Sequence, residues 1–255
     1  MKLRINCMQC FQEQGRPSLE FQPVEIRDDG LYSSTCSNGH TTLTVIQQQK
    51  FEVLFDFGAM ALIDGYPREA VTSIAAAIER FYEFYVATIC LKHGMELTDF
   101  QKAWRHVANQ SERQFGAYLF AYLIDHNGGE PPIIDNDKPN LDGVSKNNTR
   151  TWKEFRNAVV HKGYIPSVSE TLAYGNIAYL HLNELIADLK DRSEEAIQKV
   201  TFHHIARANQ APNGSVVSTM SIPTLVSLVR GEGPPESFEK ALESVEEYRK
   251  WLHHV

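Results

Sequence analysis

Residues 68–92 read REAVTSIAAAIERFYEFYVATICLK, with Ile74, Ile78, Phe81, Tyr85 and Ile89 recurring three or four apart. That spacing stacks apolar side chains on one side of an α-helix and predicts a long amphipathic helix over the whole stretch. Upstream, residues 51–63 have the same character, and Gly65-Tyr66-Pro67 breaks the two helices apart. Downstream, a third helix is expected from Asp99 to about Asp125, with Trp104, Phe115, Leu119 and Leu123 turned inward. Further helices are expected over about 145–162, 169–192 and 194–209. Ile222-Pro223 reads as the start of a short helix, and Ser237 as the N-cap of a last one running to His254.

The first 48 residues follow another rule. Residues 19–27, LEFQPVEIR, alternate apolar and polar at period two, and residues 41–46, TTLTVI, are rich in β-branched side chains. Asp28-Asp29-Gly30 supplies a turn. Such a β-rich module is too short to hold itself together by hydrophobic burial alone. The expected organisation is therefore a β-rich module over 1–48, a helical bundle over 49–210 and a helical extension over 211–255. The fold class is mainly α with a small N-terminal β-rich module.

Composition sets outer limits. Of 255 residues, 42% are hydrophobic and 22% charged, a globular balance. Ile74 to Leu91 is the most apolar run, but Glu79, Arg80 and Glu83 interrupt it, so no membrane span is expected. The opening MKLRINCMQC turns polar too soon for a secretory leader, and a cytoplasmic protein is expected. The net charge of −7 argues against a surface coated for nucleic acid. It is unevenly spread, however. Between Ser145 and Ile165 stand Lys146, Arg150, Lys153, Arg156 and Lys162 against the single acid Glu154. The preceding loop, Asp125 to Asp142, is acidic and rich in glycine and proline, and long enough to be a candidate cover for a site.

Two residue patterns carry chemistry. Cys7-x2-Cys10 and Cys36-x3-His40 are two ligand pairs, and Gly39 sits where the second tight turn needs a positive φ. Zinc takes four such sulfur and nitrogen ligands in a tetrahedron, and binding would supply the folding energy the module lacks. With four protein ligands the site is closed, and the zinc is expected to be structural. The arrangement resembles a zinc ribbon or treble-clef finger. Cys90, in an apolar helix, reads as core packing.

The second pattern is the run from Trp152 to Gly163, WKEFRNAVVHKG, an amphipathic helix end with Trp152, Phe155 and Val159 on its buried stripe. Arg156 and His161 are five apart, roughly 140° around the helix, so two copies across a dimer converge on one target more readily than one. The run Arg156-Asn157-x3-His161 resembles the signature of the HEPN superfamily, over a stretch of about residues 50–192. The resemblance implies an antiparallel HEPN-like bundle, dimerised around a shared cleft, that cleaves RNA without a metal. In that reading His161 moves protons and Arg156 clamps the phosphate. Asn157 orients His161 or holds substrate, and Lys153 and Lys162 touch the RNA backbone. It further implies a homodimer acting as a toxin or in anti-phage defence, held in check or triggered by a protein partner. The alternative is a non-catalytic RNA- or protein-binding dimerisation module whose zinc finger recognises a partner.

Overall fold

The computed structural model describes residues 2–16, 20–137, 150–206, 216–229 and 236–254. The chain is mainly helical and divides into two units: Met1–Gln49 with Thr201–Pro223 and Glu247–Val255, and Lys50–Val200 with Thr224–Glu246. The expected extension over 211–255 is thus shared between the two units and forms none of its own. Among the described residues no helix is long and apolar enough to cross a membrane.

The first unit carries two small sheets. Strands β1 (Lys2–Asn6) and β2 (Phe21–Glu25) pair antiparallel, with helix α1 (Met8–Gln14) between them in sequence. Strands β3 (Leu31–Thr35) and β4 (Thr41–Ile46) form an antiparallel hairpin. The expected β-rich character is present, and period-two burial places Leu3, Ile5, Tyr32 and Ile46 in one small apolar cluster. Strand β5 (Val216–Met220), which no pattern in the sequence announces, lies parallel to β4 with Thr42 opposite Val216. The short helix expected at Ile222-Pro223 is absent. Instead the Ile222 N–H donates to the Gln48 side chain at 2.9 Å.

The second unit is the bundle. It comprises α2 (Lys50–Ile63), α3 (Pro67–Lys92), α4 (Leu97–Trp104), α5 (Ser111–Asp125), α6 (Trp152–Lys162), most of α7 (Val168–Ile205) and the start of α8 (Phe238–His254). Helix α3 matches its expected span and is the central element, with Ile74, Phe81 and Tyr85 fully buried. Aromatic rings fill the space around it: Phe51 meets Phe81 edge-on at 5.1 Å, and Phe155 packs on Tyr174 at 5.7 Å. Helices α2 and α3 approach so closely at Gly58 that a Cβ there would lie 2.5 Å from Ile74. The third expected helix is in fact two, because Arg105–Gln110 leaves the helix between α4 and α5. The break between the two helices expected around residue 193 appears as a kink in α7, with Ser193 at non-helical φ and ψ. Ser237 does N-cap α8, accepting from the Lys240 N–H.

Burial selects the state of several polar groups. His181 is pushed down to about 4 by burial, which keeps its ring neutral near pH 7, and its Nε2 shares a hydrogen bond with the Tyr82 hydroxyl at 3.2 Å. Asp56 on α2 is buried and accepts the Leu225 N–H at 2.9 Å, which holds the chain past residue 224 where no helix forms. Burial pushes this carboxyl up to about 7 from 3.8. The folded state then binds the proton more tightly than the unfolded chain, so stability falls as pH rises between the two values. The loss amounts to on the order of 4 kcal/mol. Asp56→Asn keeps an oxygen for Leu225 and removes the titration. Its denaturation midpoint is expected to match the unmodified chain at pH 4 and exceed it at pH 8. Equal differences at both pH values would show that Asp56 ionises without cost.

Candidate functional site

The first unit brings Cys7, Cys10, Cys36 and His40 together, with their ligand atoms all within 4.8 Å of one another. Local structure explains how. Cys7 follows β1 and N-caps α1, its sulfur accepting from the Cys10 N–H, so the first helical turn presents both sulfurs on one side. Cys36 to His40 is the turn of the β3–β4 hairpin, closed by Cys36 N–H to His40 O at 3.1 Å and Gly39 N–H to Cys36 O at 2.9 Å. Gly39 has φ +80°, a left-handed conformation that glycine adopts without strain.

The distances test the fit to a metal. Ordinary zinc–sulfur and zinc–nitrogen bonds imply tetrahedron edges of about 3.8 Å between sulfurs and about 3.6 Å between sulfur and nitrogen. Cys10 Sγ lies 3.7 Å from Cys36 Sγ, and His40 Nδ1 lies 3.3 Å from Cys10 Sγ and 3.8 Å from Cys7 Sγ. A disulfide would need about 2.05 Å, and all four cysteines of the chain are free thiols. The four groups therefore form a cage of metal-binding size. The three cysteines are buried and His40 is partly so.

The thiols differ electrostatically. Burial pushes Cys36 up, but the N–H groups of His40 and Asn38 outweigh it and hold the thiol below its ordinary range. At Cys10 the Asn38 amide pulls down, while desolvation and the neighbouring thiols push it up to about 11. A cation entering this cage displaces protons, and its affinity falls as pH falls. Sequence reading missed two neighbours here. Glu13 Oε1 stands 3.4 Å from His40 Nε2, and Asn38 Nδ2 donates to Cys10 Sγ at 3.3 Å. Neither has a spacing that marks it as part of a ligand set.

In the bundle, Arg156, Asn157 and His161 lie on α6. A capping box starts this helix, with Thr151 and Glu154 exchanging bonds, and Gly163 at φ +70° ends it. Trp152, Phe155, Ala158 and Val159 form its buried face. Asn157 does not reach for His161; its Oδ1 accepts from Arg156 Nε and Nη2 at 3.3 and 3.2 Å. Arg156 Nη1 also stands 4.0 Å from Glu79 Oε1 on α3. Burial pushes the Glu79 carboxyl up, while Arg156, Arg80 and His161 pull it back, so both ends of the motif act on one carboxylate. Lys153 and Arg156 act likewise on Glu112 of α5. His161, Lys162 and the α6 terminus are exposed.

The described part of the acidic loop does not hang free as a cover. Tyr118 donates to Pro132 O, Ile134 is buried, and the carbonyls of Asp135 and Asp137 accept the N–H groups of Lys153 and Trp152. Residues 138–149 lie outside the described residues, so that part of the expectation, with Lys146, has no structural account. Compared with family models, with curated proteins and with solved structures, the chain matches none.

Proposed function

We propose that the Cys7/Cys10/Cys36/His40 cage holds a structural zinc ion, and that the bundle is a metal-independent, HEPN-type endoribonuclease working as a homodimer. The observation supporting the second half is that Arg156, hydrogen-bonded to Asn157 of the same motif, holds its guanidinium 4.0 Å from the Glu79 carboxylate of α3. His161 stands exposed in the last turn of the same helix, open to a ligand. A bound RNA phosphate replaces Glu79 as the partner of the Arg156 guanidinium, whose planar fork suits two phosphate oxygens.

The reaction follows from the residue types. The 2′-oxygen attacks the adjacent phosphorus, forming one P–O bond, and the bond to the 5′-oxygen breaks. One His161 takes the 2′-hydroxyl proton, the His161 of the second copy gives a proton to the leaving 5′-oxygen, and Arg156 offsets the charge on phosphorus. The products are a 2′,3′-cyclic phosphate and a 5′-hydroxyl. A toxin or defence role with a restraining protein partner belongs to this reading through the resemblance alone.

One observation favours a second reading. Arg156 is only 14% exposed and already engaged by Glu79 and Asn157, as a purely structural arginine would be. The chain is then a non-catalytic interaction module. The experiment is to incubate zinc-loaded protein with total RNA in buffer freed of all other divalent cations. New fragments with cyclic-phosphate ends support the nuclease. Intact RNA, from a preparation shown to be dimeric and folded, rejects it and leaves the interaction module.

A further inference from the structure

We infer that Glu13 and Asn38 are positioning residues of the metal centre, each orienting a ligand supplied by the opposite turn. The inference rests on the reading of Cys7, Cys10, Cys36 and His40 as a metal cage. Glu13 lies on α1, one turn past Cys10, and its carboxylate faces His40 Nε2 across 3.4 Å. Asn38 lies in the hairpin turn, between Cys36 and His40, and its amide donates to Cys10 Sγ at 3.3 Å. The two contacts run in opposite senses: the helix orients the hairpin's histidine, and the hairpin orients the helix's cysteine.

Each contact has a distinct physical effect. A carboxylate facing Nε2 favours the tautomer that carries its proton there, so that the Nδ1 lone pair is left for the cation. Nδ1 is the atom that stands 3.3 and 3.8 Å from the sulfurs of Cys10 and Cys7. Glu13 itself is steadied by Gln9, whose side-chain amide donates to the same carboxylate oxygen at 3.2 Å. Three thiolates against a divalent ion leave one net negative charge, and the N–H of Asn38 stabilises that charge at Cys10. The backbone N–H of Cys10 faces Cys7 in the same way, at 3.5 Å. With both side chains in place the cage is preorganised, and less ordering is left for the moment the ion binds.

The test uses the full chain, titrated with Zn2+ and separately with Co2+ against a chromophoric chelator. Glu13→Ala and Asn38→Ala are each expected to weaken binding by about 10- to 100-fold, the usual effect of losing such an outer partner. Glu13→Gln, whose amide oxygen still accepts, is expected to fall between Glu13→Ala and the unmodified chain. Because no ligand changes, the Co2+ d–d bands stay at the energies of the unmodified protein. Gln12→Ala, an exposed neighbour on the same helix, leaves the affinity where it was. Glu13→Gln changes side-chain volume hardly at all, so it carries the test even where an alanine variant fails to fold. Affinities within about twofold of the unmodified chain for all variants overturn the inference while leaving the metal centre standing. Shifted Co2+ bands overturn it too, since Glu13 or Asn38 would then be acting inside the ligand set. An unmodified chain that binds neither ion removes the metal centre, and this inference with it.

Discussion

Removal of the proposed zinc is expected to unfold β1–β4 while leaving the helical bundle folded. The apolar cluster of these sheets rests on four buried side chains, Leu3, Ile5, Tyr32 and Ile46. Fully burying such side chains contributes about 1.5–3 kcal/mol each, while every residue ordered costs backbone entropy. Burial on that scale does not order about forty residues. Structural zinc in small domains supplies on the order of 10–16 kcal/mol of folding free energy, at least as much as those four side chains contribute. The bundle has no such need, because its core runs continuously from Phe51 to Leu242 around α3. Hydrogen exchange measured before and after chelation separates the two. Amides of β1, β3 and β4 should lose protection, and those of α3 and α7 should keep it. Cys36→Ser, which removes one ligand from the hairpin turn, should give the same pattern without chelator. Undiminished protection of the strands in metal-free protein would show that the sheets stand without the ion.

For the proposed nuclease, alanine at His161 or Arg156 is expected to abolish most RNA cleavage. Loss of a positioned acid–base group ordinarily costs about 10²- to 10⁴-fold in rate, and loss of a group that stabilises transition-state charge about 10²- to 10³-fold. The two variants should differ in folding. His161 is exposed in the last turn of α6, so His161→Ala should leave the denaturation midpoint unchanged. Arg156→Ala removes the partner of a partly buried Glu79 and should lower it. Arg156→Lys keeps the charge but loses the planar fork, and should recover stability more than rate. If cleavage survives in His161→Ala at the unmodified rate, the motif is not the active centre. A contaminating nuclease would then be the first suspect, and gel filtration of the activity against the protein would identify it.

Helix α3 was legible because its burial is decided by spacing within one segment. Ile74, Ile78, Phe81, Tyr85 and Ile89 face inward in any fold that buries a single side of that helix, and all five are buried here. The same holds for the cage: two ligand pairs on tight turns predict their own convergence, since the intervening strands must pair to bring them together. Local signals also carried the C-terminal end of α6 and the cap of α8, where Gly163 and Ser237 act on bonds a few residues away, whereas the Thr151 cap of α6 went unread. Reading failed where the partner is distant in sequence. Strand β5 has a ladder only because β4, more than 150 residues earlier, offers an open edge. The stretch after Ser221 is held out of a helix by Gln48 and Asp56, which accept its N–H groups. The one long helix expected over 99–125 breaks at Arg105–Gln110, where Gln114 donates to the Ala108 carbonyl. At the motif, the sequence by itself determined that Arg156, Asn157 and His161 share a helix end. Only the tertiary structure decided that Asn157 turns to Arg156 and that Glu79 of α3 stands beside the guanidinium. Side-chain partners across helices are chosen by packing and desolvation, which periodicity along one helix does not encode.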